Sequence, residues 1–329
     1  MKEKVAIIGG SGFVGSRLAQ EFKRVNKEYD IFDINTQIDG DRAIYLDVED
    51  PSLLGQLEGY TVLINLAAVH RDDIRPVTRY DDVNVQGAVN VCNAARQQGI
   101  NRIIFTSSVA VYGFASPDTL ENGEPNFFND YGRTKYLAEN VYKAWHAEDP
   151  AARTLVIIRP TVIFGEGNRG NVYNLLYQVA SKRFVMVGNG ENRKSMAYVG
   201  NVAALLNYTL TFNPGFHLFN YIDKPDLDMN TLVAMVRRTL FNKDNVGIRM
   251  PKIVGMALGY IADMVALITG KKLPVSSIRV KKFLATTQFA SSIKETKFEA
   301  PFSLSDGLAK TISYEFMEDN SDKKTYVSE

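Results

Sequence analysis

Near its start the chain runs Val5-Ala6-Ile7-Ile8, an apolar stretch with β-branched residues, then Gly9-Gly10-Ser11-Gly12-Phe13-Val14-Gly15, then a helical pattern to about Val25. Strand, glycine turn and helix in that order predict a parallel crossover, with helices packed on the sheet. Such a turn needs glycine where the backbone bends tightly and where no side chain can stand between the chain and a pyrophosphate. The free N–H groups of the following helix then face that anion. The alternation continues through Tyr29–Asp33, Ala43–Leu46, Val62–Ala68, a helix from Val83 to Arg96, Ile103–Ser108 and Thr154–Pro160. The predicted fold class is therefore α/β, a doubly wound parallel sheet of the Rossmann type, with a smaller C-terminal substrate portion. Residues 1–165 are assigned mainly to dinucleotide binding and 166–329 mainly to substrate. The two parts are expected to interleave, since no Pro/Ser-rich linker separates them.

Composition removes several classes of function. Of 329 residues, 38 are Lys or Arg and 37 Asp or Glu, so the net charge of +1 gives no global field for a nucleic acid. The single cysteine, Cys92, lies in a small-residue helical pattern and reads as a buried structural thiol. A reducing compartment follows. The apolar run after Met1-Lys2-Glu3-Lys4 is too short for a secretory signal, and a cytoplasmic location is expected. No metal site is assigned.

Three residues carry the chemistry. Tyr131 and Lys135 stand one helical turn apart on one face, downstream of a strand that ends at Ser108. A phenol with an ordinary pKa of ~10 is a poor base near neutrality, and a nearby cation favours its phenolate. Tyr131 is thus the candidate base, Lys135 its tuner and a ribose ligand, and Ser108 the hydrogen-bond partner of the reacting oxygen. Asp33, at the end of the second strand, is placed to accept hydrogen bonds from the adenosine ribose. No Lys or Arg adjoins it on its C-terminal side, which favours NAD over NADP.

This combination resembles the extended short-chain dehydrogenase/reductase family, which contains the NAD-dependent epimerases and dehydratases. The spacing of Gly9, Gly12 and Gly15 is the family's form of the glycine turn. The resemblance implies that Gly9, Gly12, Phe13, Val14 and Gly15 cradle the cofactor and that Asp47 and Val48 lie near the adenine. It also implies that Leu66, Ala67 and Ala68 lie along the cofactor and that Asn84 approaches the nicotinamide side; a polar residue on a solvated helix face is the other reading of Asn84. Sugar dehydratases of the family carry Asp-Glu after the catalytic hydroxyl residue. Here Val109 and Ala110 stand there, which disfavours elimination of water and leaves hydride chemistry at one carbon.

In the second half Thr161-Val162-Ile163-Phe164-Gly165-Glu166-Gly167 reads as an active-site loop, with Val162 and Phe164 where family epimerases usually show Asn and Tyr. Asn171 is either a helix cap or a sugar contact. Lys194 falls near the family cation that holds a substrate diphosphate, with Arg193 beside it. Stretches spread over essentially the whole chain, among them Arg159 to Leu176 and Lys194 to Asn201, resemble family members that invert carbon 4 of GlcNAc attached to a polyprenyl diphosphate. The implied partner is GlcNAc on undecaprenyl diphosphate or on UDP, with the hydride passing to NAD and returning to the other face of a 4-keto sugar. A one-way reductase or dehydrogenase is the enzymatic rival. A cofactor-sensing binding protein is the other, and the Tyr131 and Lys135 pair argues against it.

Lys252 to Thr269 is apolar apart from Lys252 and Asp263. On a helical wheel Ile253, Met256, Tyr260, Met264, Leu267 and Ile268 share one face, with Gly255, Gly259, Ala262 and Ala266 opposite. An acid at mid-helix argues against a membrane span. Two readings stay open: a helix lying on the inner-membrane surface, assisted by Lys271, Lys272, Arg279, Lys281 and Lys282, or a helix buried in the core or in a homodimer interface.

Overall fold

The computed structural model describes residues 3–38, 41–71, 74–270 and 276–327. Its strands in chain order are β1 (Val5–Ile8), β2 (Tyr29–Asp33), β3 (Gln37–Ile38), β4 (Asp41–Tyr45), β5 (Val62–Asn65), β6 (Arg102–Thr106), β7 (Thr154–Pro160), β8 (Val162–Phe164), β9 (Asn168–Arg169), β10 (Met186–Val187), β11 (Arg193–Tyr198), β12 (Gly215–Tyr221), β13 (Asp223–Asp228), β14 (Arg249–Met250) and β15 (Tyr326–Val327). The helices used below are α1 (Phe13–Arg24), α2 (Gly87–Gln98), α3 (Asp130–Ala147), α4 (Asn171–Ala180), α5 (Val199–Tyr208), α6 (Met229–Phe241), α7 (Lys252–Thr269), α8 (Ser277–Leu284) and α9 (Leu304–Phe316).

The main sheet runs β12-β7-β6-β5-β1-β2-β4-β3. Its pairs are parallel except β3 with β4 at one edge. Strands buried on both faces read as continuous apolar runs, and β1, β5 and β7 are buried along their whole lengths. One face packs beneath α2 and α3 through Val91, Ala95, Ala138, Tyr142 and Trp145. The other packs beneath α1 and α5 through Leu18, Phe22, Val202, Leu205 and Leu206. This is the doubly wound parallel architecture expected from the sequence.

Chain order reverses between β1 and β5, so the crevice where ligands bind in such sheets opens beyond the ends of these two strands. The apolar pattern at the second of these runs further than the strand. β5 stops at Asn65, and Leu66–Ala68 leaves the sheet as irregular backbone lining that crevice. The helix expected from Val83 begins instead as a π-helical segment, Asp81–Gln86, that passes into α2.

A third core belongs to the C-terminal portion. The small sheet β13-β11-β8 packs with α4, α6 and α9 around Phe164, Leu176, Met196, Tyr198, Leu232, Val236 and Leu308. β12 leaves this portion to complete the main sheet beside β7. Cys92 is fully buried in the first core, and burial pushes its thiol up to about 12.

Candidate active site

The glycine turn follows directly from β1. Gly9 has φ +77, and a Cβ on it would sit 2.5 Å from the Ala67 nitrogen; Gly15 passes so close to Gly10 that its Cβ would meet the Gly10 Cα at 2.4 Å. Gly12 differs. A Cβ there would meet only the Gly9 oxygen, at 3.3 Å, so its missing side chain opens space at the start of α1, where no side chain caps the first turn. Asp33 is fixed beside this turn, accepting from the Ser11 and Asn35 backbone N–H groups, each at 2.9 Å. Asp47 accepts from the Glu49 N–H at 3.0 Å, and Val48 is buried against Gly87.

Leu66–Ala68 is pinned from both sides. The Leu66 N–H donates to the Ile8 carbonyl at 2.8 Å, and the Ala67 N–H donates to the Asn65 side chain at 3.0 Å. Asn84, carried on the π-helical segment, accepts from the Val69 N–H at 2.8 Å, donates to the Val69 carbonyl at 2.9 Å and donates to Thr134 at 3.0 Å. It is buried, not on a solvated face, and its amide is committed to the protein.

Ser108 caps the 3₁₀ turn Val109–Tyr112 through the Ala110 N–H at 3.1 Å. Tyr131 and Lys135 come from the first two turns of α3, whose start is capped by Asn129. The Tyr131 phenol hydrogen-bonds with Ser108, but burial outweighs that lowering effect and pushes it up to about 12. Lys135 is 3 % exposed. Its ammonium donates to the Thr106 carbonyl at 2.6 Å and lies 4.5 Å from the Phe105 ring centroid and 6.0 Å from that of Tyr131. Burial pushes this ammonium down to about 7, against the raising effect of Glu139.

Beneath the three lies a buried polar network that the residue pattern did not single out. Glu139, 0 % exposed, accepts from Ser107 at 2.6 Å and from Arg159 at 2.7 and 2.5 Å. Arg159 also donates to Tyr112, whose hydroxyl reaches the Asn220 side chain at 2.9 Å. The signal was present in the sequence: a lone Arg closing an apolar strand must find a carboxylate, and Glu139 stands one turn beyond Lys135.

A sequence profile of the NAD-dependent epimerase/dehydratase family matches residues 5–220. Over the full length of both chains the protein is 48% identical to an Escherichia coli O157:H7 protein, N-acetyl-alpha-D-glucosaminyl-diphospho-ditrans,octacis-undecaprenol 4-epimerase. The chain belongs to the NAD-dependent epimerase/dehydratase family. Solved structures support the fold. The UDP-glucose 4-epimerase of Thermus thermophilus, in complex with NAD, superposes with a TM-score of 0.72 at 16% identity, over 96% of this chain and 99% of that one. The UDP-N-acetylglucosamine 4-epimerase of Methanobrevibacter ruminantium gives 0.72 at 18% identity, over 95% and 98%.

The cofactor of the epimerase/dehydratase family is NAD, and the cradle fits a dinucleotide: a side-chain-free approach at Gly12, an uncapped helix start and a positioned carboxylate at Asp33. Phe13 and Val14 are half-buried in the first turn of α1. On the substrate side this family member differs from simple expectation. Asn171 is not the cap of α4; that position is Gly170, and Asn171 is exposed one residue inside the helix. The Lys194 ammonium donates to the Lys282 carbonyl at 3.0 Å and to that of Ala285, at the end of α8, and burial pushes it down to about 8. Arg193 is exposed. Phe164 is buried 5.7 Å from the Tyr198 ring, where a tyrosine hydroxyl would need a partner.

Proposed function

We propose that this protein is an NAD-dependent 4-epimerase converting GlcNAc to GalNAc while the sugar is carried on undecaprenyl diphosphate, in polysaccharide-precursor (O-antigen) synthesis. The observation that carries this reading is the full-length 48% identity to the undecaprenol-linked 4-epimerase, on a chain that gathers Ser108, Tyr131 and Lys135 at one strand end.

In this reading Tyr131 takes the proton from the sugar hydroxyl and later returns it, Ser108 hydrogen-bonds the reacting oxygen, and Lys135 supplies the positive charge that favours phenolate. NAD, held by Gly9, Gly12, Phe13, Val14, Gly15, Asp33, Asp47, Val48 and Leu66–Ala68, supplies the acceptor and donor of hydride at carbon 4. Asn84 acts at one remove, by fixing the Val69 backbone. Residues 1–165 serve chiefly the dinucleotide and 166–329 the sugar, with Asn171 and Lys194 toward the substrate. Val109 and Ala110 supply no acid and base pair, which supports chemistry at a single carbon.

The lipid carrier is supported by α7. This helix is, among the described residues, long and apolar enough to cross a membrane, yet only Gly255 and Gly259 are buried. Ile253 is 84% exposed and Leu267 86%, with Tyr260, Ile261, Met264 and Ile268 exposed beside them, which excludes a core helix within the protomer. Its one acid, Asp263, accepts from the Ser277 N–H at 3.1 Å at the start of α8, so the outward face is apolar. A polyprenyl tail resists leaving the bilayer at ~0.8 kcal/mol per CH₂, and this face docks on that surface at the cytoplasmic leaflet. Lys252 and Lys281 flank it, and Lys271 and Lys272 lie outside the described residues.

Incubation with undecaprenyl-diphosphate-linked GlcNAc and, separately, with UDP-GlcNAc tests the carrier. GalNAc should form on the lipid-linked sugar with no net change in NADH absorbance. Equal turnover of UDP-GlcNAc would overturn the lipid carrier, and stoichiometric NADH would make the protein a dehydrogenase or reductase. Joint replacement Ile253→Asp and Leu267→Asp should abolish sedimentation with anionic vesicles. A wild-type chain that ignores vesicles and self-associates through α7 would assign the face to a homodimer.

A further inference from the structure

Beyond α9 the chain does not simply trail into solvent. Tyr326 and Val327 form β15, paired in parallel with Asn168 and Arg169 of β9, and the Tyr326 N–H donates to the Gly167 carbonyl at 2.8 Å. β9 itself is anchored by Glu315 of α9, which accepts from the Gly167 N–H at 2.7 Å and pairs with Arg169 at 2.7 Å. From this anchorage the tail reaches back to the other end of the chain. The Tyr326 ring lies 5.7 Å from the ring of Phe13, and the Lys324 ammonium donates to the carbonyls of Ser11 and Gln37, each at 3.3 Å.

Those partners identify the place. Ser11 and Phe13 flank Gly12, the position left open for a pyrophosphate, and Gln37 follows Asp33 in the segment after β2. Lys324 thus bridges the two rims of the adenosine half of the cleft, and an aromatic ring closes on the first residue of α1. A cation at this rim also complements the charge of a dinucleotide pyrophosphate. Gly167 makes the crossing geometrically feasible: it has φ +82, and a Cβ on it would press on the Lys324 carbonyl at 3.2 Å.

We infer that residues 324–327 are a strap that retains the dinucleotide, with Lys324 and Tyr326 as its two fastenings. This rests on the reading of the cleft as an NAD site. It suits an enzyme whose cofactor is restored within each turnover and has no reason to leave.

The test is the dissociation rate of NADH from the purified protein, followed by fluorescence after addition of a trap for released NADH. The double replacement Lys324→Ala and Tyr326→Ala should raise that rate about tenfold or more, the loss of one charge-assisted hydrogen bond and a ring contact. A chain ending at Asn320 should do the same. The neighbouring Lys323→Ala removes the same charge from a side chain 3.6 Å from Asp322 and should leave the rate at the wild-type value. Hydrogen exchange on the unaltered protein gives an independent reading, with the amides of residues 322–327 gaining protection when NAD binds. Wild-type dissociation rates in the double variant, at an unchanged melting point without cofactor, or no gain of amide protection, would overturn the strap. Failure of the wild type to bind NADH at all would overturn the cofactor site instead.

Discussion

Burial acts in opposite senses on Tyr131 and Lys135. It withholds the phenolate from the tyrosine and the proton from the lysine, so the protein alone leaves the pair unactivated near neutrality. Activation therefore needs charge brought by the bound ligands. Tyr131→Phe should lower turnover by about 10²–10⁴ with NAD affinity retained, because only the proton-transfer group is lost. Lys135 makes a second, pH-dependent prediction. Its folded pKa of about 7 lies below the unfolded value of ~10.4, so below pH ~7 both states carry the charge and the cost of burying it is felt in full. Between those values the unfolded state binds the extra proton and stability rises with pH. Denaturant midpoints should therefore show the wild type gaining on Lys135→Met as pH climbs from about 7 toward ~10.4.

At the scale of elements, the sequence was most legible where local chemistry punctuates the chain. β1, its glycine turn and α1 are specified by neighbours in sequence, and the main sheet follows from the repetition of that unit. What stayed hidden was set by partners far along the chain. Glu139 and Arg159 meet only because α3 lies against β7, and Lys194 is claimed by carbonyls of Lys282 and Ala285 that no local pattern announces. Asn84 likewise reads as an ordinary helix amide until Val69 is brought beside it. α7 was partly legible, since its glycine and alanine face does turn inward, although Met256 is half-buried, apart from the fully exposed residues of its stripe. The contact is tight: a Cβ on Gly255 would sit 2.4 Å from Val187. Gly255→Leu should lift α7 from β10, costing about 1–3 kcal/mol and exposing the helix to limited proteolysis while NAD still binds.

Across the whole molecule, the two portions are joined through one buried charge. Arg159 of β7 holds Glu139 beneath the catalytic helix and, through Tyr112, reaches Asn220 of β12, which in turn donates to the carbonyls of Thr119 and Ala290. Glu139→Gln would leave that guanidinium without its counter-charge and should cost about 3–5 kcal/mol of stability by chemical denaturation. It would also remove the carboxylate that raises the Lys135 pKa, so NAD-loaded protein should lose activity at a lower alkaline pH than wild type.

The family profile ends at residue 220 and β12 ends at Tyr221, so the part matched by the family profile closes where the last strand of the main sheet is laid down. Everything that follows is added to a finished scaffold. A junction at this point is therefore a natural suture for chimaeras. Grafting the segment after Tyr221 from a relative that handles a soluble nucleotide sugar onto this sheet should change which carrier is accepted without rebuilding the hydride chemistry, and so turns carrier choice into an exchangeable module.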